Sequence, residues 1–171
     1  MEIVELLTQL SQRLNQSLPG RHLYAVLGDY NRLEKFQTAY DKNCSKLQLP
    51  SLYSVNSELL SHLTEEQRAE LLEGEARGEY LNSLLQKHFE AWVTQRLSEE
   101  GKIALARLEL LFAYNVEIGF LRKWAIDTKK IVVLLPGQRV GGSIFLFHES
   151  EYFRRLLPEG IFVSNCIYFL T

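Results

Sequence analysis

The residues best placed to do chemistry follow the run His22-Leu23-Tyr24-Ala25-Val26-Leu27. It ends at Gly28 and passes into the helical spacing of Leu33, Phe36, Ala39 and Tyr40. A strand feeding a helix through a glycine is where a phosphate can be held. The first amides of a helix lack internal partners and carry the positive end of its dipole. The phosphate-loop pattern GxxxxGK(S/T), counted from Gly28, asks for a second glycine, a lysine and a hydroxyl. The chain has Leu33, Glu34 and Lys35 at those positions. Leu33 adds a Cβ where backbone must wrap the phosphates, Glu34 brings a negative charge where a positive one is needed, and Lys35 is one position out of register. The other half of such a site is an acid at the end of a neighbouring buried strand, holding magnesium. Within Ile103 to Leu110 that position reads Ala106. These losses predict a chain with no bound cofactor, no metal and no catalytic activity.

Other constellations are weaker. Cys44 and Cys166 match no metal-ligand spacing and are expected as buried thiols. His88 has no second histidine or carboxylate at ligand spacing and reads as a helix-face residue. Asp127 and Glu149 make no recognisable carboxylate pair, and Ser143 with His148 lacks the strand-turn-helix context of a hydrolase nucleophile.

The elements that must position these residues follow from apolar periodicity. Ile3, Leu7, Leu10, Leu14 and Leu18 predict an opening helix ended by Pro19-Gly20. Leu52 to Val55 reads as a short strand, with Asn56 or Ser57 capping the helix after it. Thr64-Glu65-Glu66-Gln67 matches a capping box, so a helix starts near Glu65, is interrupted by Gly74 and Gly78, and resumes on the stripe Leu81, Leu84, Leu85, His88, Trp92 and Val93. Ile103 to Leu108 and Ile131 to Leu135 read as buried strands, the second closed by Pro136-Gly137. Ile144 to Phe147 is a further strand segment. A helical segment is expected around Glu149 to Leu157, and the last strand within Ile161 to Leu170. This alternation predicts one α/β domain over residues 1–171, three-layered, with a mainly parallel sheet and helices on both faces.

At 46% hydrophobic over 171 residues, the chain can bury one substantial core. Its longest strongly apolar run, Ile131 to Leu135, is far short of the roughly 20 residues of a membrane span. The amino terminus lacks the features of a secretory signal, so a cytoplasmic protein is expected.

The order of these motifs resembles BrxF, a P-loop NTPase-type component of the BREX phage-defence systems of bacteria and archaea. The likeness spans about residues 22–165. It rests on the strand and turn at Gly28, on Val55-Asn56-Ser57-Glu58-Leu59-Leu60-Ser61-His62-Leu63-Thr64, and on Arg107-Leu108-Glu109-Leu110-Leu111-Phe112. It continues with Ile131-Val132-Val133-Leu134-Leu135-Pro136-Gly137 and Ser150-Glu151-Tyr152-Phe153-Arg154-Arg155. Family members with an intact loop carry a glycine-rich phosphate-binding sequence, from which this chain departs at Leu33 and Glu34. The resemblance implies a P-loop NTPase-like fold with degenerate motifs. It also implies an accessory role beside other defence proteins, among them a large ATPase, a methyltransferase and a phosphatase-like protein.

Two surfaces are candidates for partners. Residues 51–100 carry ten acids against four bases, and 101–171 carry nine bases against six acids. The acidic, glycine-interrupted stretch Glu65 to Glu79, including Glu65, Glu66, Glu70 and Glu73, with exposed aromatics of the helix that follows, would offer a negative field to a basic protein partner. Arg122, Lys123, Lys129, Lys130, Arg139, Arg154 and Arg155 would, if gathered on one face beside Tyr152 and Phe153, suit nucleic acid instead. That module, and an atypical nucleotide-binding protein, are the alternatives to a scaffold or regulatory subunit.

Overall fold

A computed structural model describes residues 2–73, 78–162 and 166–171. Among the described residues, seven strands and seven helices run in the order α1 (Ile3–Asn15), β1 (Leu23–Gly28), α2 (Tyr30–Asn43), β2 (Leu52–Ser54), α3 (Val55–His62), α4 (Glu65–Glu73), α5 (Gly78–Glu100), β3 (Lys102–Ala106), α6 (Glu109–Ala113), α7 (Leu121–Trp124), β4 (Lys130–Val140), β5 (Ser143–Leu146), β6 (Arg155–Pro158) and β7 (Ile167–Phe169). A 3-10 turn at Glu159–Ile161 lies between the last two strands.

The central sheet has the order β2-β3-β4-β1-β7, with every neighbouring pair parallel. Parallel strands covered on both sides are apolar at every position, and alternate residues enter opposite cores. Leu23, Ala25 and Leu27 of β1 join Ile131, Val133 and Leu135 of β4, packed with Leu59, Leu85, Phe89 and Leu111 from α3, α5 and α6. Tyr24, Val26, Val132 and Leu134 point the other way, onto Leu7, Leu10, Leu14, Phe36 and Tyr40 of α1 and α2. Helices therefore cover both faces of a mainly parallel sheet. None of them is long and apolar enough to cross a membrane, among the described residues.

Several expectations are corrected in detail. Leu18 lies beyond α1 and is exposed, so the buried stripe of that helix is Leu6, Leu7, Leu10 and Leu14. Ser54, rather than Asn56 or Ser57, caps α3 by accepting from the Ser57 amide. The Thr64 capping box is complete, since Gln67 N–H donates to Thr64 Oγ1 and Thr64 N–H donates to Gln67 Oε1. Gly74 lies outside the described residues, and Gly78 opens α5 instead of breaking a helix. Cys166 is buried as expected, whereas Cys44 is half-buried and donates to the Leu49 carbonyl.

The strand at Ile103 stops at Ala106 because Arg107 takes a left-handed conformation (φ 57°), and α6 begins two residues later. Pro136-Gly137 does not close β4. Pro136 pairs with Gly28 at the end of the parallel ladder, and Gly137 opens an antiparallel ladder with β5. Proline's missing amide is tolerated there because the strand changes partners at that point. A Cβ on Gly137 would sit 2.7 Å from the Phe145 carbonyl oxygen, so the crossing admits only glycine. The helix expected around Glu149 to Leu157 is absent. Leu156 and Leu157 instead pair with Phe145 and Ile144, making β6 the outer strand of a small antiparallel flap.

Tyr24 sits in the second core, its hydroxyl 3.0 Å from His22 Nδ1. Burial, with smaller contributions from Cys166 and Tyr168, pushes its pKa from 10.0 up to about 12. A pKa raised by folding stabilises the folded chain fully below the unfolded value. That contribution is lost as pH rises from 10 through 12. Chemical denaturation should therefore show stability falling across this window, with a shallower slope in Tyr24→Phe. An unchanged slope would remove Tyr24 from that role.

Candidate functional site

The connection from β1 to α2 is a single residue, Asp29, in extended conformation (φ −70°, ψ 167°). Its Oδ1 accepts from Arg32 N–H at 2.7 Å, and its backbone carbonyl accepts the first helical bond from Leu33 N–H at 3.0 Å. Asp29 Oδ2 lies 3.5 Å from the Arg32 guanidinium. A second carboxylate arrives from the loop between β5 and β6, where Glu149 Oε2 accepts from Tyr30 N–H at 3.1 Å. Two of the amides that would face a phosphate are thus already paired with carboxylates of the chain.

Gly28 is part of β1 and packs against the C-terminal segment. A Cβ there would meet Leu170 Cβ and Cδ1 at 3.1 Å each, and Leu170 N–H donates to the Leu27 carbonyl. Its small size admits neighbouring chain rather than a phosphate. Leu33, Glu34 and Lys35 lie within α2 and not in a loop. Leu33 is 4% exposed and belongs to the second core, while Glu34 and Lys35 face outward.

Ala106 ends β3 opposite Ser54, with its methyl buried. Beyond it, the left-handed turn at Arg107 directs the chain into a polar network across the carboxyl ends of the strands. The Arg107 carbonyl accepts from Asn56 N–H, and its Nε lies 3.6 Å from Glu109 Oε1. Asn56 Nδ2 donates to Glu109 Oε2 at 3.0 Å, and Asn56 Oδ1 accepts from Leu110 N–H at 3.0 Å. Tyr30 completes the link, its hydroxyl donating to Glu109 Oε1 at 3.4 Å. Burial first, and then the Glu109 charge, pushes the Tyr30 pKa up to about 12. The crevice left between these groups measures about 260 Å³ and is lined by Tyr30, Leu33, Glu34, Gln37, Arg107 and Glu109, among others. That is below the roughly 300–1,000 Å³ typical of ligand pockets.

No protein-family model, curated protein or solved structure matches this chain.

The first part of the acidic stretch forms α4, a helix that buries none of its residues, while residues 74–77 lie outside the described residues and Glu79 belongs to α5. Glu65, Glu66 and Glu73 are exposed, Glu70 is half-buried, and Leu72 stands 89% exposed among them. Two bonds to backbone tie this region down. Tyr114 Oη donates to the Leu71 carbonyl and Arg68 Nε to the Leu60 carbonyl, each at 2.8 Å. The expected aromatics of the following helix are mostly withdrawn, since Phe89 and Trp92 are buried and Tyr80 is the exposed one among the described residues of α5. His88 stays on the helix face, its ring parallel to that of His62.

The basic residues do not gather on one face. Arg122 and Lys123 on α7, with Lys129, precede the amino end of β4, whereas Arg139 lies near its carboxyl end and Arg154 and Arg155 at the start of β6. At about 3.3 Å per residue, Lys130 and Arg139 are roughly 30 Å apart along that strand. Lys130 is withdrawn altogether. It is 3% exposed and donates to the carbonyls of Arg13, Leu14 and Gln16 at the end of α1. Arg139 is paired with Glu159 at 2.7 Å, Arg154 Nε donates to the Ser150 carbonyl, and Arg155 lies over the Phe153 ring.

Proposed function

We propose that this chain is a non-catalytic scaffold or regulatory subunit built on a degenerate P-loop-type domain, acting by binding other proteins. The observation that carries this reading is the amino end of α2, reached through one residue and capped by Asp29 and Glu149. A strand-to-helix connection of that length leaves no backbone to wrap a phosphate, and both caps repel one. The parallel order β2-β3-β4-β1-β7 supports the P-loop-type assignment, because it opens the ends of β1 and β3 onto one crevice. The motif resemblance described above supports a BREX-type phage-defence complex in the bacterial or archaeal cytoplasm as its setting. A large ATPase is the partner to test first.

The proposed contact surface is α4. An exposed leucine among solvent-facing glutamates combines an apolar anchor with a field that steers a basic partner. Reversing Glu66 and Glu73 to lysine should leave folding within about 0.5 kcal/mol of wild type, since both side chains are exposed. Glu70 is omitted because its burial would confound the comparison. Co-purification with the BREX ATPase and methyltransferase should weaken several-fold, most clearly at low salt where screening is least. Retention of both partners by the folded double variant would place the interface elsewhere.

A further inference from the structure

Two of the four histidines, His62 and His88, come from different helices and meet where α3 packs on α5. His62 is the last residue of α3 and is exposed, and His88 stands near the middle of α5. Their rings are parallel to within 3°, with centroids 6.1 Å apart. No hydrogen bond engages either ring among the described residues. His88 is half-buried, yet neither of its ring nitrogens is shut off from solvent. Sequence spacing hides this pair, because the two residues share no helix.

We propose that His62 and His88 are the two protein ligands of a site for a borderline divalent transition-metal cation of the zinc and nickel class, with water completing its coordination. Neutral imidazole suits such ions, whereas magnesium and calcium take oxygen ligands. With metal–nitrogen distances of about 2.0–2.1 Å, two imidazoles on one ion hold their centroids roughly 5–6.5 Å apart, and the observed separation already lies in that range. The second side-chain torsion of histidine is a broad one, so the exposed His62 ring can turn a nitrogen toward the ion without moving α3. No group of three or more histidines, cysteines and carboxylates gathers among the described residues, so the site is open and its affinity is that of two ligands. A bound ion ties the end of α3 to the middle of α5, the helices that flank α4 in the chain. The site does not depend on what α4 binds.

Calorimetry on the full chain at neutral pH with zinc, nickel and magnesium chlorides tests this. Zinc and nickel should each bind at one ion per chain with dissociation constants on the order of 1–100 μM, and magnesium should not bind. His62→Asn and His88→Asn should each weaken both ions by about 10-fold or more, because the second imidazole no longer adds its chelate contribution. His148→Asn should leave both affinities unchanged. The His62 side chain is exposed, so His62→Asn should fold as the wild type does and decides the matter even if His88→Asn does not fold. Undiminished zinc and nickel binding by His62→Asn, loss of binding in folded His148→Asn, magnesium binding as tightly as zinc, or no zinc and nickel binding below millimolar concentration would each overturn the proposal.

Discussion

A chain carrying Leu33→Gly, Glu34→Lys and Lys35→Thr, which writes the full phosphate-loop pattern from Gly28, should lose roughly 3–6 kcal/mol of stability and gain no measurable affinity for magnesium-ATP. The loss follows from Leu33, which is 4% exposed and packs in the core beneath α2. Removing a buried leucine side chain costs about 2–5 kcal/mol, and glycine within a helix adds about 1 kcal/mol. The absence of a gain follows from geometry. All three positions lie in α2, whose first turn is already capped by Asp29 and Glu149, so the new lysine projects from a helix surface and not from a loop around phosphates. Denaturant titration and calorimetry on the same preparation check both halves. Micromolar ATP binding by the triple variant would mean that the connection can open into a loop.

Replacing Lys130 with methionine should cost about 2–3 kcal/mol, and the damage should be confined to α1. A helix end leaves carbonyls without internal partners, and three carbonyls at or next to the end of α1 converge on the Lys130 ammonium. Hydrogen bonds to a charged group contribute about 1.5–3 kcal/mol each, but burial of the ammonium and the nearby Lys102 charge both lower the Lys130 pKa and offset part of that gain. Hydrogen exchange should show the last turn of α1 opening faster in the variant while β1 and β4 stay protected. Uniform loss of protection, or no loss, would contradict this role.

Lys130 also shows where reading the chain by itself reaches its limit. As part of Lys129-Lys130 it looks like surface charge, and only the return of β4 beside the end of α1 turns it into a buried cap more than a hundred residues from its acceptors. Glu149 is similar, since nothing local connects it with Tyr30. Asp29 was legible, because an aspartate directly before a helical run is a standard capping signature. Comparing the site with a lysine-bearing loop draws attention past it to Glu34. The parallel strands β1, β3 and β4 were visible as segments because strands buried on both faces are continuous apolar runs. The placing of β4 between β1 and β3 was not, since the strand bearing Ala106 was expected to adjoin β1. Nor was the flap. Its outer strand depends on pairing of Leu157 with Ile144 and Leu156 with Phe145, and residues 149–157 taken alone resemble a short amphipathic helix. The same holds for Pro136-Gly137, which look like a stop until β5 folds back and gives β4 a second partner.

The most direct test of the central claim is calorimetric titration of the wild-type chain with magnesium-ATP at low salt. With Asp29 and Glu149 occupying the amides at the start of α2, no binding heat should appear up to millimolar nucleotide. A saturable isotherm with micromolar affinity would contradict the account, because it would require those carboxylates to yield their place to phosphate.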